Sequence, residues 1–418
     1  MNNSPRYTLV VLTAIFAVNH LDRHILSITL TQIGTEFTLS DTQLGLLSGL
    51  VFALVYVLFG FPIAKLAARG NRRNIISVSI AVWSSLTVAL AGAQNFTHLL
   101  FARLGVGIGE AGAVSPAHSM ISDLYPENRR TSAMATFVAG ANIGVLLAFL
   151  IGGVVGQMLG WRWAFVMAGI PGLILALILW KTVNEPIRQK SQLYREENRS
   201  LFISTLKAIW EDRGLFHAMA GISIVGIVTF GALAWNPTFI IRAHGLTQAQ
   251  TGIFLALTIG IGGGFGTWLS GKLADQWGRK NPKWRIGIVV AVILISKPFI
   301  IVFLLADTRA LALASFVGAA LIASVFWGPT FAFLHSRIKP HMRPMASAIF
   351  LFCFNLIGVG IGPTIIGVLS DTLFADYGVR STAYSLLIIQ IAGLWAAYHY
   401  WLVMSELPSR DQSNEVAA

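Results

Sequence analysis

The chain has 418 residues, of which 55% are hydrophobic and only 11% are charged. Soluble domains average about 25% charged residues, so this composition excludes a soluble protein and indicates a membrane protein with several spans. The formal net charge of +12 would by itself also fit a nucleic-acid-binding protein. The single cysteine, Cys353, lies in an apolar segment, so no internal disulfide is possible and nothing suggests a thiol metal site.

Twelve apolar runs of at least about 18 residues follow one another along the chain, and each can cross roughly 30 Å of hydrocarbon as a helix. We predict spans at 8–30, 43–67, 75–93, 97–122, 131–158, 163–183, 214–241, 248–274, 285–305, 309–334, 345–373 and 381–403. The predicted fold is an all-α membrane protein with twelve transmembrane helices in two pseudo-symmetric bundles of six.

The distribution of basic residues predicts the orientation of these helices. With both termini in the cytoplasm, 23 of the 30 Lys and Arg residues fall in cytoplasmic segments or at the cytoplasmic ends of spans, and three fall in the interior of spans. The other four lie in outer loops, namely Arg162, Arg242, Arg309 and Arg380. This asymmetry follows the positive-inside rule, so the positive charge no longer suggests nucleic acid. We expect a cell (inner) membrane protein with cytoplasmic termini.

The first span carries a polar run from Asn19 to His24 near mid-membrane. Insertion scales put an Asp or Arg at a helix centre at roughly 2.5 to 3.5 kcal/mol, while a Leu returns only about 0.3 to 0.6. One interpretation is that Asp22 and Arg23 only neutralise each other or a neighbouring helix. The other is a functional site, because ionisable groups inside a membrane mark substrate or proton pathways.

The fourth span carries two further charges, Arg103 and Glu110. Seven residues at 100° each complete almost two turns, so both side chains share one helix face about 10.5 Å apart along the axis. Glu110 is an isolated acid near the centre of its span, at the predicted depth of Asp22, and Arg103 lies nearer the outside. Both charges are therefore candidates to face one cavity.

A long polar stretch at 181–213 separates six spans from six and contains apolar residues at helical spacing. We predict a first bundle at 1–183, a linker at 184–213, a second bundle at 214–405 and a cytoplasmic tail at 406–418. The linker is predicted to form an amphipathic helix on the cytoplasmic face. A plain solvated linker is the alternative.

The two halves repeat at a constant offset of 207 residues. This offset relates the candidate helix caps Ser40 and Thr247, and also the glycines Gly45 and Gly252. It also relates the segments after spans 2 and 8, which read A-K-L-A-A-R-G-N-R-R from residue 64 and G-K-L-A-D-Q-W-G-R-K from residue 271. Independent matches at one offset indicate a duplicated half.

The segment from residue 271 resembles the signature of the major facilitator superfamily, G-x-L-A-D-x-x-G-R-K, and matches it fully. The first copy has Ala68 where the signature has its acid and Asn71 where it has its second glycine. The resemblance implies that the acid Asp275 braces the cytoplasmic side against the start of span 5, and that the first half lacks this latch. The residues that it implicates in gating are Asp275, Arg279, Lys280, Arg72, Arg73 and Arg130.

The Asp22-Arg23 dipeptide, the Arg103-x6-Glu110 spacing and the S-D-L-Y-P turn at 122–126 resemble the Spinster branch of that superfamily. Members export or salvage lysophospholipids and sphingolipids, typically with proton coupling. On this basis Glu110, assisted by Asp22, is expected to carry the proton. The candidate substrate contacts are Arg23, Arg103, Asn19, Phe331 and Asn355.

We therefore predict a secondary active transporter of an amphipathic anionic or zwitterionic lipid that works by alternating access with proton coupling. A carrier of a small organic anion or a drug-like amphipath is the alternative within transport. A membrane-embedded lipid-modifying enzyme fits less well, because the sequence has no H-E-x-x-H or G-x-S-x-G motif. A non-transporting receptor on the same fold is the remaining, less favoured alternative. No catalytic residue, metal or cofactor is expected. The expected partners are the substrate, protons and membrane lipids, with the chain a monomer.

Overall fold

The computed structural model describes residues 4–188, 196–322 and 325–407, without the side chains of residues 196–200, 267, 268, 270, 271, 275, 280 and 322. The α-helices of the first half are α1 Pro5–Phe37, α2 Asp41–Ser48, α3 Leu50–Arg69, α4 Arg72–Leu90, α5 Phe96–Glu110, α6 Val114–Leu124, α7 Glu127–Leu150, α8 Gly156–Leu159 and α9 Trp161–Thr182. The remaining ones are α10 Glu196–Glu211, α11 Arg213–His244, α12 Gln248–Leu255, α13 Gly262–Lys280, α14 Trp284–Leu305, α15 Arg309–Ile322, α16 Trp327–Arg337, α17 Arg343–Asp371 and α18 Ser381–Ser405.

Ten helices among the described residues are long and apolar enough to cross a membrane. The other two predicted spans, the fourth and the tenth, are each divided into two shorter helices, α5 with α6 and α15 with α16. The fourth span is interrupted because Pro116 has no N–H for the carbonyl of residue 112 and its ring would clash there. Together these helices give the all-helical, twelve-span architecture that the sequence predicts.

Short turns of other helix types interrupt or extend several spans. π-helical turns at Ile151–Val155 and Ala256–Ile261 lie within spans 5 and 8, and 3-10 turns at Pro340–Met342 and Ala375–Arg380 precede α17 and α18. π-turns often occur at functional positions of helices. Here they occupy one span of each half, and these two spans are not related by the 207-residue offset.

The chain forms two compact units. The first comprises Met1–Lys190, Leu233–Ile261 and Pro363–Leu373, and the second comprises Ser191–Ala232, Gly262–Gly362 and Phe374–Ala418. The first unit therefore contains the whole N-terminal bundle together with pieces of spans 7, 8 and 11. The bundle boundaries at residues 183 and 214 stay a prediction.

Within the first unit, α1 packs against α7 and α9, while α4 packs against α9 and α5. Within the second unit, α14 packs against α15 and α18. The hydrophobic core of the second unit contains fully buried side chains from several helices, among them Ile209, Ile222, Ile286, Phe350 and Tyr400.

The predicted equivalence of spans 2 and 8 is visible where each begins. The Ser40 hydroxyl accepts the N–H of Gln43 and the Gln43 side chain accepts the N–H of Ser40, at 3.3 and 3.0 Å. Thr247 and Gln250 form the same capping box, at 3.3 and 3.1 Å. Because each box satisfies two otherwise unpaired N–H groups, the cap residues read from the sequence are confirmed.

Candidate functional site

Arg23 on α1 and Glu110 at the end of α5 form a buried ion pair. The Nη2 and Nε atoms of Arg23 lie 2.7 and 3.2 Å from the same carboxylate oxygen, Oε2 of Glu110. Glu110 is fully buried and only 12% of the Arg23 side chain is exposed. The other oxygen of Glu110 has no hydrogen-bond partner among the described residues. Glu110 is therefore not the isolated acid that the sequence suggested, because its counter-ion comes from a helix 87 positions earlier.

Two aromatic rings of α3 lie beside this ion pair. The rings of Phe52 and Tyr56 are stacked, with centroids 5.7 Å apart. The guanidinium carbon of Arg23 lies 4.8 Å from the Phe52 centroid and 5.3 Å from the Tyr56 centroid. Aromatic faces attract guanidinium groups at such distances, so the two rings stabilise the charge of Arg23. Neither ring was predicted from the sequence, where their i, i+4 spacing in span 2 was the available signal.

Arg103 also lies beside the Phe52 ring. Its guanidinium carbon is 5.3 Å from the ring centroid, and its Nε donates to the backbone oxygen of Leu47 at 3.3 Å. Arg103 is buried and lies within electrostatic reach of Asp22, Arg23 and Glu110. The structure thus brings together all four charged residues that the sequence placed in spans 1 and 4. Two acids and two bases cancel formally, which lowers the cost of burying them.

The Asp22 side chain is directed toward α4, in span 3, and does not pair with Arg23. It is 1% exposed, and the nearest polar groups of α4 belong to Trp83 and Thr87. Neither of its oxygens has a hydrogen bond of ordinary geometry among the described residues, and Thr87 donates its hydroxyl to the Trp83 backbone at 3.0 Å. No ion pair between Asp22 and Arg23 occurs among the described residues, since adjacent residues point about 100° apart on a helix. Mutual neutralisation of the dipeptide is thereby disfavoured.

Asn19 lies one turn before Asp22 and is also buried, at 1% exposure. Both polar atoms of its amide lack a hydrogen-bond partner among the described residues, as does the indole nitrogen of Trp83. Buried polar groups are usually satisfied, and exceptions commonly mark sites of function or bound water. Span 1 therefore presents two polar side chains, Asn19 and Asp22, whose bonding capacity is open in this structure.

The predicted contacts of the second half belong to the second compact unit. Phe331 stacks on Trp327, with ring centroids 5.9 Å apart, and faces Phe350 at 6.4 Å. The Asn355 amide donates to the backbone oxygen of Leu351, one turn earlier, at 2.8 Å. Phe331 is thus part of an aromatic cluster within its own unit. Substrate contact by Phe331 and Asn355 stays a prediction.

Arg72, the first of the two basic residues that end the incomplete signature, is buried inside the first unit. It pairs with Asp123, and its Nε lies 2.7 Å from Oε1 of Glu185. It also donates to the Ser119 hydroxyl at 2.8 Å, and Arg73 donates its backbone N–H to Oε2 of Glu185 at 2.8 Å. These contacts join the start of span 3 to the end of span 4 and to the segment after span 6. Glu185 was not predicted as a partner, because it lies at the start of the polar linker and belongs to none of its apolar positions.

The Arg188 side chain contacts the C-terminal end of α3, where Ala68 stands in place of the signature acid. Its guanidinium donates to the backbone oxygens of Ala68, Ala67 and Gly70, the last two at 2.7 and 2.5 Å. A basic group at the C-terminus of a helix satisfies its unpaired carbonyls and complements its dipole. A residue after span 6 therefore contacts the end of span 2 at which Ala68 replaces the acid.

The other gating candidates are placed as follows. Arg130 donates to the backbone oxygen of Ser122 at 3.0 Å. Arg279 is exposed. The side chains of Asp275 and Lys280 lie outside the described residues, so the brace predicted for Asp275 stays a prediction.

A second charged cluster joins α2, α11 and α17 at the other end of the spans. The loop charges predict that this end lies outside. Oδ2 of Asp41, the first residue of α2, lies 2.9 Å from Nη1 of Arg242 on α11 and 2.6 Å from the hydroxyl of Ser370 on α17. The Asp371 carboxylate accepts the N–H groups of Asp41 and Thr42 at 3.1 and 2.6 Å. A carboxylate at a helix N-terminus stabilises it. The sequence analysis missed this cluster, for which Asp41 beside the cap Ser40 was the only local signal.

The geometry resembles that of known transporters, and comparison with known proteins decides the family. The sequence profile of the Major Facilitator Superfamily matches residues 12–363. The chain belongs to the major facilitator superfamily. Among the described residues, no group of three or more His, Cys, Asp or Glu side chains is arranged to hold a metal ion.

Within the superfamily, the relatives point to the Spinster branch. Protein spinster homolog 3 of Danio rerio is 29% identical over 415 residues, covering 92% of this chain and 82% of that protein. An MFS-type efflux pump of Mycolicibacterium smegmatis is 28% identical over 396 residues, covering 94% and 91%. The crystal structure of a bacterial homologue of the human lysosomal transporter Spinster, inward-facing and unoccupied, matches with a TM-score of 0.85 and 28% identity over 96% of this chain and 97% of that one.

This Spinster-branch chain is thus a secondary transporter and a multi-pass integral membrane protein. The superfamily transports small molecules and is not a family of enzymes, so the membrane-embedded enzyme that the sequence left open is excluded. The resemblance drawn from the Asp22-Arg23 dipeptide and the signature at 271–280 is confirmed.

Proposed function

We propose that this chain transports an amphipathic anionic or zwitterionic lipid, such as a lysophospholipid or a sphingolipid, by alternating access coupled to protons. The observation that carries the proposal is the position of Arg23. Its guanidinium is held between the buried Glu110 carboxylate and the faces of Phe52 and Tyr56. We place the protein in the cell (inner) membrane with both termini in the cytoplasm, as the loop charges predict.

Competition for Arg23 couples the proton to the substrate. Both hydrogen bonds of Arg23 to Glu110 go to one carboxylate oxygen. A phosphate or carboxylate of the substrate needs the same N–H groups, because a guanidinium binds such anions through two parallel hydrogen bonds. When Glu110 is protonated it holds Arg23 less strongly and the substrate anion can take its place. By linkage, substrate binding then favours proton binding to the same degree.

Asp22 supplies a second acid beside this exchange. Its carboxyl group is buried and has no hydrogen-bond partner among the described residues, and burial disfavours a charged carboxylate. We assign to Asp22 the supporting role of receiving or passing on the proton that leaves Glu110. Asn19, one turn earlier with its amide unpartnered in the described part of the chain, is assigned to the polar end of the substrate.

The aromatic rings favour an amphipathic substrate. The half-buried Tyr56 and the buried Phe52 place apolar rings next to the charge of Arg23, and a lysophospholipid joins an anionic phosphate to an acyl chain. We assign Arg103, which also lies beside the Phe52 ring, as the second counter-charge, and Phe331 and Asn355 as contacts from the second half. Asp275, Arg279 and Lys280 in that half, and Arg72, Arg73 and Arg130 in the first, are assigned to gating.

A carrier of drug-like amphipaths or small organic anions is the second candidate. Its support is the relative described as an MFS-type efflux pump, which is 28% identical along nearly the whole chain. The same guanidinium and rings can hold an anionic drug. The two candidates differ in the need for a long acyl chain.

The test is transport by sealed vesicles that contain only this protein. We expect lysophospholipid movement to depend on an imposed pH gradient and on acyl-chain length, and binding to be accompanied by proton uptake from a weakly buffered solution. Transport of drug-like amphipaths and of small organic anions is measured in the same vesicles in parallel. Transport of those compounds without any lysolipid transport would replace the first candidate by the second, and transport indifferent to the pH gradient would remove proton coupling.

A further inference from the structure

The ninth span carries a lysine, Lys297, that the proposed transport mechanism does not use. It lies eight residues before the end of α14 at Leu305, so its Cα is about 12 Å from that end of the helix. Lysine is costly inside a membrane, and lysines within spans usually extend along the helix until the amino group reaches the nearer boundary. The amino group of Lys297 turns toward the middle of the membrane instead.

The Lys297 side chain crosses from α14 to α18. Its Nζ donates to Oε1 of Gln390 at 2.8 Å, and Nε2 of Gln390 donates to the backbone oxygen of Leu386 at 3.2 Å. Nζ also lies beside Gly393, where any side chain would collide with it. Gly393 is 12 residues from either end of α18, so the amino group is held about 18 Å from both ends. We call Lys297, Gln390 and Gly393 the lysine niche.

The surroundings of the lysine niche are uncharged. From α11 the nearest residue to Gly393 is Val228, whose Cγ2 lies 3.8 Å from the position of a Cβ there. From α18 the niche receives the neutral amide of Gln390, which is 7% exposed. A lysine ammonium has three N–H groups, and Lys297 uses one of them toward the described part of the chain. Within that part, the niche offers a cation one neutral acceptor and no counter-charge.

Both helices expose apolar side chains next to the lysine niche. Leu294 and Ile301 lie within about 60° of Lys297 around α14 and are 48% and 44% exposed. On α18, Leu394 follows Gln390 by one turn and is 47% exposed. These side chains are suited to contact an acyl chain at this depth of the hydrocarbon. The niche thus combines a polar centre with an apolar approach.

We propose that the lysine niche binds the carboxyl group of a long-chain fatty acid, whose chain lies along α14 and α18. The carboxylate supplies the counter-charge of Lys297 and oxygen acceptors for its other two N–H groups. A fatty acid enters the hydrocarbon as the neutral carboxylic acid. Its proton then passes from the carboxyl oxygen to the nitrogen of the neutral amine, which leaves a carboxylate beside an ammonium without any change in net charge. A phospholipid headgroup keeps its charge and stays at the membrane boundary.

The residues of this site differ from those proposed to couple transport. Arg23 and Glu110 belong to the first compact unit, whereas Lys297, Gln390 and Gly393 belong to the second. Fatty-acid binding at the lysine niche therefore does not depend on the identity of the transported substrate. A fatty acid could also pair with Arg23, so the measurement has to locate the bound acid.

Photocrosslinking locates it in the full-length protein reconstituted in phosphatidylcholine vesicles. The probe is a palmitic acid analogue with a diazirine a few carbons from its carboxyl group, and mass spectrometry identifies the adducts after irradiation. Palmitate and methyl palmitate serve as competitors, because the ester keeps the chain but cannot ionise. Lys297→Met removes the amino group, and Gly393→Ala keeps it but fills the place beside it. The control is Lys181→Met, at an exposed lysine of α9.

We expect adducts on α14 and α18 around the lysine niche that palmitate displaces and methyl palmitate does not. Lys297→Met and Gly393→Ala should each lower these adducts several-fold, while Lys181→Met leaves them unchanged. Adducts that the ester displaces equally well, or that persist in both niche variants, would overturn the proposal in favour of acyl chains dissolved on an apolar surface. Adducts confined to other helices, or none at all, would also overturn it.

Two further measurements separate this result from folding and from transport. The two niche variants change the site in different ways, and the melting temperature of each purified protein shows that it is folded. Vesicles containing Lys297→Met should keep lysolipid transport that depends on the pH gradient. Loss of that transport together with the adducts would overturn the separation of the lysine niche from the coupling residues.

Discussion

The guanidinium of Arg242 lies 2.9 Å from the carboxylate of Asp41, and this ion pair joins residues 201 positions apart. It connects the end of span 7 to the start of span 2 within the first compact unit. Ser370 and Asp371 on α17 complete the cluster through the Asp41 side chain and the backbone of α2. We call this cluster the outer latch, because the loop charges assign these helix ends to the outside.

Breaking the outer latch should favour a state in which the helix ends that it joins are separated. Arg242→Gln leaves the carboxylate of Asp41, which is 9% exposed, without its charged partner, and hydrogen bonds to charged groups are worth about 1.5 to 3 kcal/mol. Since about 1.4 kcal/mol is a tenfold change in an equilibrium, the population with separated outer ends should rise at least tenfold. Paired spin labels at Thr35→Cys and Thr372→Cys, in the Cys353→Ser background, report the distance.

The control for this prediction is Arg309→Gln, which removes an exposed basic residue from another predicted outer loop. Its distance distribution should match that of the unmodified background. If Arg242→Gln and Arg309→Gln give the same distribution, the outer ends are held by packing and not by the ion pair.

The Glu110→Gln variant should uncouple transport from the pH gradient. Gln has nearly the shape of a protonated Glu, so it keeps the burial of residue 110 while releasing the charge interaction with Arg23. We expect lysolipid transport by reconstituted vesicles to lose its dependence on the pH gradient, while the purified protein stays folded with a melting temperature lowered by the loss of the buried ion pair. Glu127→Gln, at an exposed acid of α7, is the control. A retained pH dependence in Glu110→Gln would remove Glu110 from the coupling role.

Lysine should not replace Arg23 or Arg103 at full strength. Arg23 uses two N–H groups of a planar guanidinium toward Glu110 and rests on the rings of Phe52 and Tyr56, whereas an ammonium is a compact point charge. We expect Arg23→Lys and Arg103→Lys to weaken substrate binding by about tenfold, measured as ligand-dependent thermal stabilisation. Equal affinity in both variants would show that these residues act only as structural counter-ions.

Arg72 should contribute more to stability than any exposed basic residue. It is buried between the carboxylates of Asp123 and Glu185, which are 16% and 22% exposed. Arg72→Gln removes the shared cation, and breaking a buried ion pair costs about 3 kcal/mol or more. The melting temperature of Arg72→Gln in detergent should fall clearly below that of Arg279→Gln, which removes an exposed charge. Similar melting temperatures would mean that the network around Arg72 is already hydrated.

The cytoplasmic gate should respond in opposite directions to two substitutions. Asp275→Asn removes the signature acid of the second half. A carboxylate at a helix N-terminus stabilises the protein by about 0.3 to 1 kcal/mol, or about 2 when partly buried. We expect this variant to shift the protein toward the inward-open state. Ala68→Asp restores the acid missing from the first half, next to the Arg188 guanidinium, and should shift it outward. Spin labels at the cytoplasmic ends of spans 4 and 10 report both, and unchanged distributions would place the gate elsewhere.

The sequence alone determined the membrane class, the positions of the spans and the duplication. These follow from local properties, since an apolar run of 20 residues can only be satisfied as a helix in lipid and a cap such as Ser40 acts on its own helix. The sequence also identified the four charges in spans 1 and 4, because each stands out against an apolar background.

Only the tertiary structure decided how these charges are paired. Helical periodicity fixes the angle between Asp22 and Arg23 on one helix, but not the rotation of that helix against α4 and α5. That rotation turns Arg23 toward Glu110 and Asp22 toward Trp83 and Thr87, and it depends on side-chain packing across the whole bundle. For the same reason the outer latch and the rings of Phe52 and Tyr56 beside Arg23 were decided by the packed helices and not by any single segment.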